Sequence, residues 1–230
     1  MDTRTGTTAG HMQRGLLIEA DLTILSGTEL FFDACRKPLA GAGVKIDRDL
    51  FLRYIFGHPL SRGVAALLER QNKGAASASA VAGEIVTKYT AALRAAADKS
   101  RDGITTFAKD AAGRGVKVGL VTQLPEEVAK TVYAGALVEG VDLILETPAC
   151  ACVHGWENWR RAAHKLQIRE RLCVAIAAPA SAHGALAASM RVIAMADPWQ
   201  DHVDCGGVDL LTDAFQAPAR AAALTLLKLA

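Results

Sequence analysis

The residues of this chain that could do chemistry stand at the carboxyl ends of short apolar runs. Glu19, Asp21 and Thr23 close the run that opens at Gly15, Thr122 and Gln123 close VKVGLVT (Val116 to Thr122), and His154 follows VDLILET (Val141 to Thr147). In an open α/β sheet the binding crevice lies outside the carboxyl ends of the strands, so these tips are where carboxylates, hydroxyls and an imidazole would act together. His154 could add positive charge only when protonated. A gap is as informative as the groups present: a fourth apolar run, Leu172 to Ala178, ends in a stretch that carries neither Asp nor Glu between Glu170 and Asp197. Soft ligands form a second constellation, Cys150-Ala151-Cys152-Val153-His154 after the third run and His202 with Cys205 after the fifth. C-x-C-x-H with a distant H-x-x-C is not a common zinc spacing, so ordinary thiols are expected and no metal site is assigned.

The elements that must position these groups are legible as an alternation. Beyond the runs at Gly15, Val116, Val141 and Leu172, a fifth spans Met190 to Ala196, and continuous apolar runs of this length suit strands buried on both faces. Helical patterns lie between them, in ITTFAKDAAGRG, PEEVAKTVYAGAL and WENWRRAAHKLQI. Strands alternating with helices predict an α/β fold, a Rossmann-like parallel sheet with helices on both faces. The interval from Glu29 to Ser100 breaks the rhythm with helical patterns only, so an inserted all-helical cap domain is expected directly after the first strand. The predicted organisation is a flexible leader over 1–14, a core over 15–28 and 101–230, and a cap over 29–100. Trp156 and Trp159, three apart on a helix start, are expected to share one face and pack in the core.

Composition sets the outer limits. With 51% hydrophobic and 22% charged residues the chain has an ordinary globular balance. A formal net charge of +2, spread along the chain, gives no reason to expect nucleic acid or an acidic membrane as partner. No apolar run approaches the ~20 residues of a membrane span and the polar start has no secretory pattern, so a cytoplasmic protein is expected, with its five cysteines reduced.

Taken together, the tips resemble those of the haloacid dehalogenase (HAD) superfamily, in its phosphoglucomutase-like branch. The residues that carry the likeness are Glu19-Ala20-Asp21-Leu22-Thr23, where that family opens with Asp-x-Asp-Gly-Thr, and Thr28-Glu29. Gly57-His58-Pro59-Leu60 with Val64-Ala65-Ala66-Leu67-Leu68 looks like its cap segment, Gly103 to Thr122 like its second core motif, and Cys173 to Ala194 like its last. The resemblance implies a carboxylate nucleophile at position 19, an acid/base at Asp21, a phosphate-binding hydroxyl at Thr122, a charge-compensating Lys after the third strand, and Mg²⁺ held by acidic side chains. Magnesium is needed there because the carboxylate and the phosphoryl group it attacks are both anions.

This chain departs from that pattern at most of those points. Glu19 is one methylene longer than Asp, and a misplacement of about 1 Å can cost ~100-fold in rate. Leu22 replaces a Gly that lets phosphate approach, so its side chain is expected to intrude there. His154 stands near the place of the Lys, while Lys165 falls on the following helix. The acids of the fourth motif are missing, and hard Mg²⁺ binds oxygen ligands almost exclusively. The expected protein is therefore HAD-like with degenerate catalytic motifs and without Mg-dependent phosphatase activity. It would bind a small molecule or a protein partner in a residual cleft ringed by Glu19, Asp21, Thr122 and Gln123, with Thr23 and His154 at its phosphate side and no cofactor. The alternative is a functioning phosphatase-like hydrolase with a non-standard site, for which Mg²⁺ would be required. Homo-oligomer formation stays open.

Overall fold

The computed structural model describes residues 13–97, 102–146 and 152–229. Its centre is a six-stranded sheet, in the order β3-β2-β1-β4-β5-β6, built from β1 (Gly15–Glu19), β2 (Lys117–Thr122), β3 (Val141–Leu145), β4 (Cys173–Ala177), β5 (Arg191–Met195) and β6 (Leu210–Thr212). Every adjacent pair is parallel. β1 and β4 are buried along their whole length, which is why their sequences read as unbroken apolar runs. The chain proceeds from β1 outward through β2 and β3, then returns to the other side of β1 with β4, β5 and β6. That reversal makes the β1–β4 junction the topological switch point of the sheet, the place where open α/β sheets bind their ligands.

Between β1 and β2 lie α1 (Ala20–Thr23), α2 (Gly27–Gly41), α3 (Arg48–Tyr54), α4 (Leu60–Arg70) and α5 (Ala78–Ala95), with no strand among the described residues of that interval. α2 to α5 form the inserted helical layer. They hold together around Phe31, Phe51, Leu67, Leu68, Ile85 and Leu93, with Phe31 and Phe51 meeting edge to face at 5.5 Å. Asp47 caps α3 by accepting the Leu50 amide at 2.8 Å. The layer is seated on the core through Phe32, whose ring lies 4.7 Å from that of Trp199 in the loop after β5.

The remaining helices, α6 (Asp102–Gly113), α7 (Glu126–Val132), α8 (Trp156–Lys165), α9 (Pro179–Ala187) and α10 (Ala217–Leu226), cover the sheet. Besides the single turn α1, the elements β6, α9 and α10 were not anticipated. β6 is only three residues long at the sheet edge, too short for a visible run. α9, PASAHGALA, packs on β4 and β5 but has no apolar stripe because its alanines fall on every side, and it is recognisable only by Pro179 at its first turn. α10 closes the chain with an Ala-rich sequence that favours helix by propensity. The two tryptophans also separate: Trp159 is fully buried, whereas Trp156, at the first position of α8, is 44% exposed. A helix's first residue overhangs its end, so an i, i+3 spacing does not guarantee a shared face there.

Candidate functional site

Glu19 ends β1 at the switch point, and its carboxylate is entirely buried. It reaches sideways across the strand tips: Oε2 accepts the Ala178 amide at 2.7 Å and Oε1 accepts the Ser181 hydroxyl at 2.6 Å. Ala178 and Ser181 stand just after β4, in the acid-free stretch noted from the sequence. Ser181 is itself fixed, since its Oγ accepts the His154 amide at 2.9 Å and its carbonyl accepts the Trp159 indole N–H at 3.2 Å. Burial raises the Glu19 pKa from an ordinary 4.5 to about 8, against the lowering effect of these two hydrogen bonds. At neutral pH the group is protonated, and a protonated carboxyl is a poor nucleophile.

Asp21 is the second hub. It is 1% exposed; Oδ1 accepts the hydroxyls of Thr122 (2.6 Å) and Tyr133, and Oδ2 accepts the Gln123 amide at 2.9 Å. Its pKa is also raised, by burial first, with the three hydrogen bonds pulling the other way. Thr122 receives the Leu124 amide at 3.1 Å, so its hydroxyl is committed on both sides. The Gln123 side chain points to Cys152, with Nε2 3.3 Å from Sγ.

The structure thus brings Glu19, Asp21, Thr122 and Gln123 together, but packed rather than ringing an open cleft. Thr23 turns back to donate to the Glu19 carbonyl at 2.6 Å, a local helix contact. Leu22, 3% exposed, belongs to the apolar cluster that joins core and helical layer. His154 meets the site through its backbone. Burial lowers its pKa to about 4, so the imidazole is neutral at pH 7 and offers no charge compensation; its Nδ1 is buried without a partner. Cys152 lies beside the site, buried and with its thiol pKa pushed up to about 12, whereas Cys150 falls outside the described residues.

Several contributors carry no sequence signal of their own. Tyr133 and Ser181 are single polar residues in helical stretches and reach the hubs only through the fold. Glu146, just past β3, is buried and accepts Lys165 Nζ at 2.9 Å and Arg161 Nε at 2.8 Å. Lys165 also donates to the Leu145 carbonyl at 2.7 Å, so the first lysine after the third strand is bound to that carboxylate. Asp197, after β5, accepts the Thr28 hydroxyl at 2.6 Å and Gln200 Nε2 at 3.0 Å.

A magnesium site of the kind the resemblance implies needs carboxylate oxygens turned outward from at least two tips. Here all four carboxyl oxygens of Glu19 and Asp21 are engaged in hydrogen bonds within the protein, and β4 is followed by Ala178 and Ser181 instead of an acid. The residues present do not fit the ion. Surface cavities of about 250–520 Å³ open elsewhere.

No family model matches this sequence, and no curated protein matches it either. Solved structures do resemble it. CbbY from Rhodobacter sphaeroides, determined in complex with phosphate, superposes with a TM-score of 0.70 at 18% identity, over 95% of this chain and 100% of that one. β-Phosphoglucomutase from Clostridium difficile gives 0.67 at 18% identity, over 89% and 92% of the two chains. A family IA HAD hydrolase from Entamoeba histolytica gives 0.69 at 17%, over 94% and 100%. Such identities speak for architecture rather than activity: the chain has the HAD fold in its phosphoglucomutase-like form, a Rossmann-like parallel core with a helical cap inserted after the first strand.

Proposed function

We propose that this chain is a HAD-like protein without magnesium-dependent phosphatase chemistry, serving in the cytoplasm as a binding module for a small molecule or a protein partner. The observation that carries this reading is the reach of Glu19. Its extra methylene lets the carboxyl touch Ala178 and Ser181 on the neighbouring tip directly. A hydrogen-bonded carboxyl thereby joins two tips that, in the related chemistry, a cation would join, and the anionic nucleophile is replaced by a neutral, buried group. Desolvation and saturation of Asp21 support the same reading, because an acid/base must reach its substrate's proton.

The test is titration calorimetry with Mg²⁺ on the purified protein, alongside turnover of a panel of phosphate esters. No stoichiometric magnesium uptake and no turnover are expected. Tight uptake of one ion, with ester hydrolysis abolished by Asp21→Asn, would establish the working hydrolase instead. That second reading draws on the phosphoglucomutase and hydrolase names of the structural neighbours.

A further inference from the structure

At the opposite end of the sheet the strands begin, and there the chain gathers positive charge. Arg14 immediately precedes β1, Arg171 lies two residues before β4, and Arg191 is the first residue of β5. Register makes them neighbours: Gly15 pairs with Cys173, and Val174 with Arg191, so three chain entries on adjacent strands bring three guanidinium groups to one edge. Lys228, just after α10, adds a fourth cation. Together they line a cavity of about 420 Å³, whose walls include the apolar side chains of Leu172 and Leu226. Among the described residues, Arg191 is ion-paired, with Asp209 at 2.9 Å, while Arg14, Arg171 and Lys228 have no carboxylate partner. Like charges crowded around one concavity repel each other, and an anion seated among them relieves that cost.

We infer that this cavity is a binding site for a small multiply phosphorylated compound with an apolar portion. The guanidinium fork matches phosphate oxygens bidentately, and a lysine adds a point charge. Three uncompensated cations call for at least two negative charges, and the leucine walls offer apolar contact to the rest of the molecule. The volume falls within the roughly 300–1,000 Å³ of small-molecule sites. This site lies at the far edge of the sheet from Glu19 and Asp21, so it stands or falls independently of what the strand tips do.

Calorimetry on the full chain, with EDTA present so that no metal-dependent chemistry contributes, uses ATP, pyrophosphate and adenosine as probes. Saturable one-to-one binding of ATP and pyrophosphate is expected, with adenosine silent and affinity falling as salt rises. Arg14→Ala with Arg171→Ala should weaken ATP binding about tenfold or more, since charge-assisted hydrogen bonds to phosphate are lost. Lys37→Ala with Lys45→Ala, at a basic cavity on the helical layer, should leave it unchanged. If the double arginine variant unfolds, Lys228→Gln on an exposed side chain reads the same contact with a smaller loss. Absence of saturable binding, adenosine binding as well as ATP, or an affinity indifferent to both the Arg14/Arg171 and Lys228 substitutions would overturn the inference.

Discussion

At position 19 one methylene decides what a carboxyl can touch. An aspartate on the same backbone would fall short of both Ala178 and Ser181, leaving a buried amide and a buried hydroxyl without their acceptor. Glu19→Asp is therefore expected to destabilise the protein by about 1–3 kcal/mol, the cost of orphaned buried polar groups, and to create no phosphatase activity. Urea unfolding of the two proteins side by side measures the first, and an ester assay with Mg²⁺ the second; a variant as stable as the parent would mean that the bridge contributes nothing. The positions of Glu19, Asp21 and Thr122 at the tips were legible in the sequence, because an apolar run followed by a polar residue marks a strand's end. Their partners were not. Ser181 lies 162 residues from Glu19 and Tyr133 lies 112 from Asp21, so only the assembled sheet reveals that the carboxyls face inward.

Among the elements, the short turn after β5 ties the helical layer to the core by both ring packing and hydrogen bonds. Asp197 caps it by accepting the Trp199 amide at 2.9 Å, and Trp199 then lies between Phe32 and Arg48. The Arg48 guanidinium sits 5.7 Å from the Trp199 ring centroid and donates to the Pro198 carbonyl at 2.6 Å and to Asp201 at 2.8 Å. A single arginine on α3 thus meets a backbone oxygen, a carboxylate and an aromatic face on the core. Removing the ring should cost more than removing the exposed ion pair: Trp199→Ala about 2 kcal/mol, Arg48→Ala under ~1 kcal/mol. Hydrogen exchange localises the effect. Amides of α3 should lose protection in Trp199→Ala while those of α8 keep theirs, and equal loss in both helices would show that the turn has no special hold on the layer. The pairing of this turn with Arg48 links residues about 150 apart, too far for any local pattern to show. Strongly periodic helices and fully buried strands were readable; β6 and α9 were not, since one is too short and the other, built mostly of alanine and other small residues, has too little contrast between its faces to show a period.

For the molecule as a whole, buried titratable groups set how stability follows pH, and two of them pull in opposite directions. Glu19 keeps its proton in the folded state up to about pH 8 but loses it in the unfolded chain near 4.5. Between those values the folded state binds the extra proton, so stability falls as pH rises through the window, by up to ~1.4 kcal/mol per unit. Asp21, also raised by burial, adds to the same trend. His154 does the reverse: it stays neutral down to about pH 4 when folded and takes a proton near 6.5 when unfolded, so stability falls as pH drops through 6.5 toward 4. From 4.5 to 6.5 the Glu19 and His154 contributions cancel, one proton against one. Above 6.5 the histidine is neutral in both states and the carboxyl acts without opposition. Stability should therefore decline from pH 6.5 to 8 by about 2 kcal/mol. Glu19→Gln can keep both contacts, its carbonyl accepting the Ala178 amide and its amide donating to Ser181 Oγ, and it removes the titration. The variant should lose most of that decline and gain on the parent at pH 8. Denaturant midpoints at half-unit pH intervals decide it: a parent whose stability rises from pH 6.5 to 8 would mean that Glu19 is ionised in the folded protein, and with it the case for a neutral, hydrogen-bonded bridge between the strand tips would fail.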